Sequence, residues 1–380
     1  MNFRPPSNRE GAALAVAVLA LAVIGALVAA TFVAALLEQR SGENILSAEQ
    51  AFSVAEAGLD ALTADWNPAL YDSITTGATV GMPPVDLFPG FRYTDSLTRL
   101  NAVTFLARAW GERLGPTGTV SRHALGRYLR MDIAAPPVDA GLTALGAVSL
   151  GPAAMVTGVD SVPPGWGAFC PPSGSVRPGI RSRSGAISST STCQGGPCVL
   201  GNPPLLVDSG LTANNLASFG SVSFTQLFAE ANVRVSGIQP GISPALDTLG
   251  RCDFKISSNW GEPSAGTSTG ACFGYFPVVA AAGGTRISGG RGQGILLVDG
   301  DLDVSGGFEF YGPLVIRGRL ASFGNGGRFM GGILLLDDLG LGSSLDGSSI
   351  AVYSSCGLLR AELGAARGVP ILERSWIDGM

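Results

Sequence analysis

Residues 12–66, AALAVAVLALAVIGALVAATFVAALLEQRSGENILSAEQAFSVAEAGLDALTADW, decide how this chain is read. The first 26 of them, 12–37, carry no charge. At 1.5 Å per residue, a helix of that length reaches about 39 Å and crosses a ~30 Å hydrocarbon core. Arg4 and Arg9 precede it, so the positive-inside bias places the N-terminus in the cytoplasm and the bulk of the chain outside, as a single-pass inner-membrane protein. The apolar run is too long for the core of a secretory signal, roughly 7–15 residues. Past Glu38-Gln39-Arg40 the pattern turns amphipathic. Ile45, Ala48, Phe52, Ala55, Leu59, Leu62 and Trp66 recur at alternating spacings of 3 and 4, a seam on one helix face. Asn67-Pro68 closes the helix. The expectation is one continuous helix, in lipid at one end and wet at the other.

The rest of the chain has a different texture. Only 14% of the 380 residues are charged, and glycine supplies 55 of them. That is about twice the usual share of roughly 7%, and it predicts many tight turns between short strands. The net charge of -5 argues against a general nucleic-acid binder. A single histidine, His123, removes most histidine-based catalysis and metal chemistry; it reads as a surface or edge residue.

Residues 67–90 are turn-rich and read as a surface loop. Strand character follows at 91–100, 103–110 and 120–133, with turns at Asn101 and at 111–118. An antiparallel sheet over 67–140, lying on the amphipathic seam, would cover it. Pro136-Pro137 marks a boundary. From 141 to 380 glycine punctuates short apolar runs, and Ile295, Leu314 and Ile333 open three similar runs 19 residues apart. One short strand per turn at that period favours a β-solenoid over a Gly-rich sandwich. The chain is therefore expected to be α+β: a long N-terminal helix, a small antiparallel sheet, then a mainly-β region.

Between about 199 and 290 the regularity breaks, which reads as an insertion. SFTQLFAEA (223–231) reads as a short helix, while NWGEP (259–263) and CFGYFP (272–277) are aromatic loops. Core packing is the ordinary fate of such aromatics, and partner binding the alternative. All six cysteines lie between Cys170 and Cys356, an even count that reads as disulfides in an exported domain. Six cysteines allow 15 pairings. Cys193–Cys198 and Cys252–Cys272 are the local pairs, which leaves Cys170 with Cys356. Half a zinc site at Cys193 and Cys198 is the rival reading.

No catalytic constellation or cofactor motif emerges. Asp299, Asp301 and Asp303 would share a strand face and could hold calcium, but Asp beside Gly is also ordinary turn chemistry. GGRGQG (289–294) lacks the Lys-Ser/Thr of a phosphate loop, is followed by a strand and not a helix, and reads as a solenoid turn. An exported carbohydrate-active enzyme gains nothing beyond fold analogy.

The leader 1–11 is short and basic and ends in Gly11. An apolar helix, Gln39-Arg40 and AFSVAEAGLDAL (51–62) follow. This arrangement resembles the N-terminus of type IV pilin-like proteins, nearest to PilX-type minor pilins, over residues 9–62. The resemblance implies a prepilin peptidase cut between Gly11 and Ala12, with methylation of the new N-terminus. It also implies packing of the freed helix against other pilin or pseudopilin subunits through Leu14, Val16, Leu19, Ile24, Phe32 and Leu36. Major pilins carry glutamate at the fifth mature position, where it compensates a neighbour's terminal amine. Here that position is Val16, and the first mature residue, often Phe, is Ala12. An unpaired amine in an apolar core is costly, so the resemblance points to a minor component. The Gly-rich half also resembles C-terminal regions attached to PilX-like N-termini. The alternative is a membrane-anchored surface or adhesion protein that enters no filament.

Overall fold

The structure is a computed structural model that describes residues 10–71, 74–170, 174–189, 197–263, 270–337, 342–371 and 376–378. The chain is α+β. It divides into two units, one of Met1–Asp65, Thr76–Leu129 and Pro370–Met380, the other of Trp66–Thr75 and Arg130–Val369.

In the first unit a helix, α1, runs unbroken over Glu10–Ala64. Its 55 residues make it about 82 Å long. No proline interrupts 12–64, and alanine and leucine dominate it. A sheet packs on its C-terminal part. Thr79–Gly81, Phe91–Arg99, Thr104–Gly115 and Gly118–Asp132 lie side by side, Val85–Phe88 joins the edge of Phe91–Arg99, and Trp376–Asp378 pairs antiparallel with Gly118–Asp132.

The sheet differs from expectation in two places. Residues 67–90 are not all loop, for they hold a short helix, α2 (Pro68–Tyr71), and two of these strands. Pro83-Pro84 and Pro89 fall between the strands, where no ladder bond is lost, so their turn signal masked the pairing. The turn expected at 111–118 is shorter. The strand continues to Gly115 and the hairpin turns at Pro116-Thr117.

The second unit is built mainly of parallel strands, hydrogen-bonded in three ladders. Val233, Val279, Leu296, Leu314, Ile333, Leu142, Ile180 and Leu205 sit opposite one another on eight successive strands. A second ladder runs through Gln239, Ile287, Val304, Ser322, Leu345 and Leu150. A third joins Gly292, Phe310, Phe329, Ala351, Val156 and Val199. The inward residues of all three merge into one core. The order of strands is permuted: the first segment, around Leu142, docks against the late strand around Ile333. The chain then runs outward to Leu205–Val207 and resumes at the opposite end with Val233–Val235.

Residues 199–290 therefore do not form one insertion. Val199–Leu200, Leu205–Val207, Val233–Val235, Ile238–Ile242 and Val278–Ala282 take places in the parallel sheets, and among the described residues 208–232, 243–263 and 270–277 leave them. The first excursion carries α3 (Ala213–Leu216) and α4 (Phe224–Ala229). Ser223 caps α4 through a capping box with Gln226. GGRGQG is a bend within a strand and not a separate turn. It lies largely in the strand Thr285–Gln293, where Gly289 and Gly290, at φ 77° and 93°, carry the chain from the second ladder to the third.

One sheet of this stack is buried on both faces. Leu296, Leu314 and Ile333 point into the inner core, whereas Ile295, Leu297 and Val315 join a second cluster. Helix α5 (Ser355–Gly364), α4 and the Trp166 loop cover that outer face.

Candidate assembly helix

The functional candidate is α1, whose two halves meet different surroundings. Leu14, Val16, Leu19, Ile24, Phe32 and Leu36 are all exposed, Phe32 at 68%. They lie along the helix and form no pocket. Gly11 and Ala12 fall in the first turn of α1, while Arg4 and Arg9 lie outside the described residues. The span from Ala13 is long and apolar enough to cross a membrane, and none of its most apolar window is buried.

The packed half begins at Ala51. Ala51, Val54, Ala55, Leu59 and Leu62 are buried, whereas Ile45 and Ala48 of the expected seam are exposed and Trp66 lies beyond the helix end. The face is displaced because the sheet accepts small residues. At Gly111, in the strand Thr104–Gly115, a β-carbon would overlap the backbone of Ala51 and Ala55. Helix and strand backbones therefore touch there, which an a/d pattern of large side chains cannot anticipate. Phe52 meets the His123 ring edge-on at 5.2 Å, so this histidine belongs to the helix–sheet contact.

Polar contacts fix the rotation of the helix. Arg127 donates from Nη1 to Asp60 at 2.8 Å, and Arg113 donates to Gln50. Between them Asp95 lies under Gly58, where a β-carbon would come within 2.7 Å of its Oδ1. Burial pushes the Asp95 carboxyl up to about 7. Sequence reasoning missed Gly58, Asp95 and Gly111. Only Gly111 left a signal, a glycine inside a strand pattern, which often marks a close backbone approach.

The remaining candidates resolve into packing and ion pairs. Asp299, Asp301 and Asp303 do not share one strand face, since a turn at Gly300 (φ 131°) separates the first from the others. Each carboxylate has an arginine partner: Asp299 with Arg317 at 3.2 Å, Asp301 with Arg319 at 3.3 Å, and Asp303 with Arg286 at 3.2 Å. Among the described residues no cluster of His, Cys, Asp or Glu could hold a metal ion. Cys170 is bonded to Cys356 and Cys252 to Cys272. Cys198 is also disulfide-bonded, while Cys193 lies outside the described residues. The aromatic loops are interior: Trp260, Phe273 and Phe276 are buried, and Trp166 packs on Phe273, Phe276 and Tyr311. A cleft of about 220 Å³ between α4 and the segment after α5 carries Glu230 and Arg367, which pair with each other.

Ile24 stands at the middle of the uncharged run. An arginine at a helix centre costs about 2.5–3.5 kcal/mol on insertion scales. Ile24→Arg is expected to lower the carbonate-resistant, membrane-integrated fraction, and Ser47→Arg, in the polar part of α1, is expected to leave it unchanged.

No family model and no curated protein matches the chain. Among solved structures it is similar to the competence-associated pilin ComZ from Thermus thermophilus, at 12% identity over 88% of this chain and 97% of that chain, with a TM-score of 0.22. A score that low carries no argument about fold or function.

Proposed function

We propose that this chain is a minor pilin or pseudopilin, a structural and non-catalytic component of a type IV pilus or related secretion filament. One observation carries the reading. In α1 an exposed apolar half continues without a break into a half that packs on its own sheet. Such a helix can be held by lipid first and then by neighbouring helices, while the rest of the chain stays folded. Arg4 and Arg9 support an inner-membrane topology with a cytoplasmic N-terminus, and the Gly11-Ala12 junction supports cleavage by a prepilin peptidase. Val16 supports a minor, PilX-like part over a repeating subunit, because it leaves a neighbour's amine without a carboxylate. The three parallel ladders, with Leu296, Leu314 and Ile333 in register at 18 and 19 residues, support a β-solenoid for the Gly-rich region.

The mature N-terminus is the test. Mass spectrometry of protein purified from its own membrane is expected to find Ala12, methylated, and to find it in sheared filaments. A chain that keeps Met1 and stays with the membrane overturns this reading in favour of an anchored surface protein.

A further inference from the structure

Asp95 is a buried acid at the contact that joins α1 to its sheet. It is 5% exposed, and its Oδ1 has no hydrogen-bond partner among the described residues. Buried carboxylates are ordinarily paired or hydrogen-bonded, so an orphan at a helix–sheet contact calls for a physical role. Among the described residues no neutralising charge acts on it. On its own strand the neighbour toward the helix is Tyr93, whose hydroxyl is pushed up by burial and then by the charges of Asp95 and Asp65. The adjacent strand pairs Ala109 with Asp95 and places Ala107 and Gly111 at the flanking positions. The edge strand Thr79–Gly81 brings no titratable group. From α1 comes Gly58, and just past its end Asp65 acts on Tyr93, while Asp60 is taken by Arg127.

We infer that Asp95 is a proton-operated latch between α1 and the sheet. The neutral carboxyl is accommodated against Gly58, and its ionised form loosens the packing of 51–62. The sign follows from burial, which raises this acid from 3.8 to about 7. The contact is at full strength below the lower value, weakens as pH rises between the two, and levels off above the higher one. The helix would then hold its sheet firmly in an acidic compartment and be free to shift at alkaline pH.

Hydrogen exchange of the 51–62 amides in the detergent-solubilised full chain tests this, with intrinsic exchange rates divided out. Between pH 5 and pH 8.5 the opening equilibrium is expected to rise on the order of 100-fold in the wild type. In Asp95→Asn it is expected to change less than about threefold, while Tyr93→Phe keeps the wild-type response. Asp95→Ser serves as a second uncharged variant. A flat wild-type profile overturns the latch on its own, and so does an unchanged pH response in the uncharged variants.

Discussion

Gly111→Val is expected to separate the helix from its sheet. The branched side chain would have to occupy the space held by the backbone of Ala51 and Ala55. The helix cannot yield locally, because Gln50–Arg113 ties it to the same strand and Asp60–Arg127 ties it to the neighbouring strand Gly118–Asp132. Overpacking usually costs about 1–3 kcal/mol, and a clash against backbone belongs at or above the top of that range. Urea unfolding of the full chain in detergent, followed by exchange at 51–62, reads the loss. Gly42→Ala is the contrasting variant. Nothing lies within 4 Å of a β-carbon at Gly42, so alanine there is expected to stabilise α1 by about 1 kcal/mol. Equal effects of the two substitutions would refute the close approach.

Trp166→Ala is expected to be the costliest change in the second unit. The indole is fully buried, donates from Nε1 to the Pro263 carbonyl at 3.0 Å, and packs against three aromatic rings. Arg360 lies over four rings at this point, 5.2 Å from Trp166 and 4.7 Å from Phe169. Truncating a buried tryptophan costs about 3–5 kcal/mol, and the lost cation–π contact and the unpaired Pro263 carbonyl add to it. The Cys170–Cys356 bond crosses the same cluster and limits how far the loop can leave. Denaturation of the second unit should shift by that amount. A stability change under about 1 kcal/mol would show that these aromatics are not core.

The uncharged run 12–37 was legible because nothing but a helix satisfies its backbone in lipid, and periodicity needs no partner to be seen. The strands at 91–99, 104–115 and 118–132 were legible in place, with error at their ends. The stack was half legible. Leu314 and Ile333 do lie opposite each other, yet Leu314's other neighbour is Leu296 and not Ile295. A strand buried on both faces has no polar parity to fix its register, so Ile295 and Leu296 look alike in sequence. The helix–sheet contact was the least legible part. Ile45 resembles a seam residue more than Ala51 does, but Gly111, 60 positions later, decides that the small residues face inward. Asp95 gave no signal, because an acid on a strand ordinarily looks outward.

The permuted stack has a consequence in time. The segment around Leu142 emerges early in synthesis, but its strand partner at Ile333 arrives 191 residues later. Until then the early turns present a raw sheet edge with nothing on one side of them. Pairing over such a distance is slow and leaves half-built sheet exposed to association. Closure of the fold therefore waits for the last portion of the chain. A product shortened before Gly327–Leu335 would hold two stubs of sheet with no strand to splice them, so even a modest C-terminal deletion removes the keystone and not the margin.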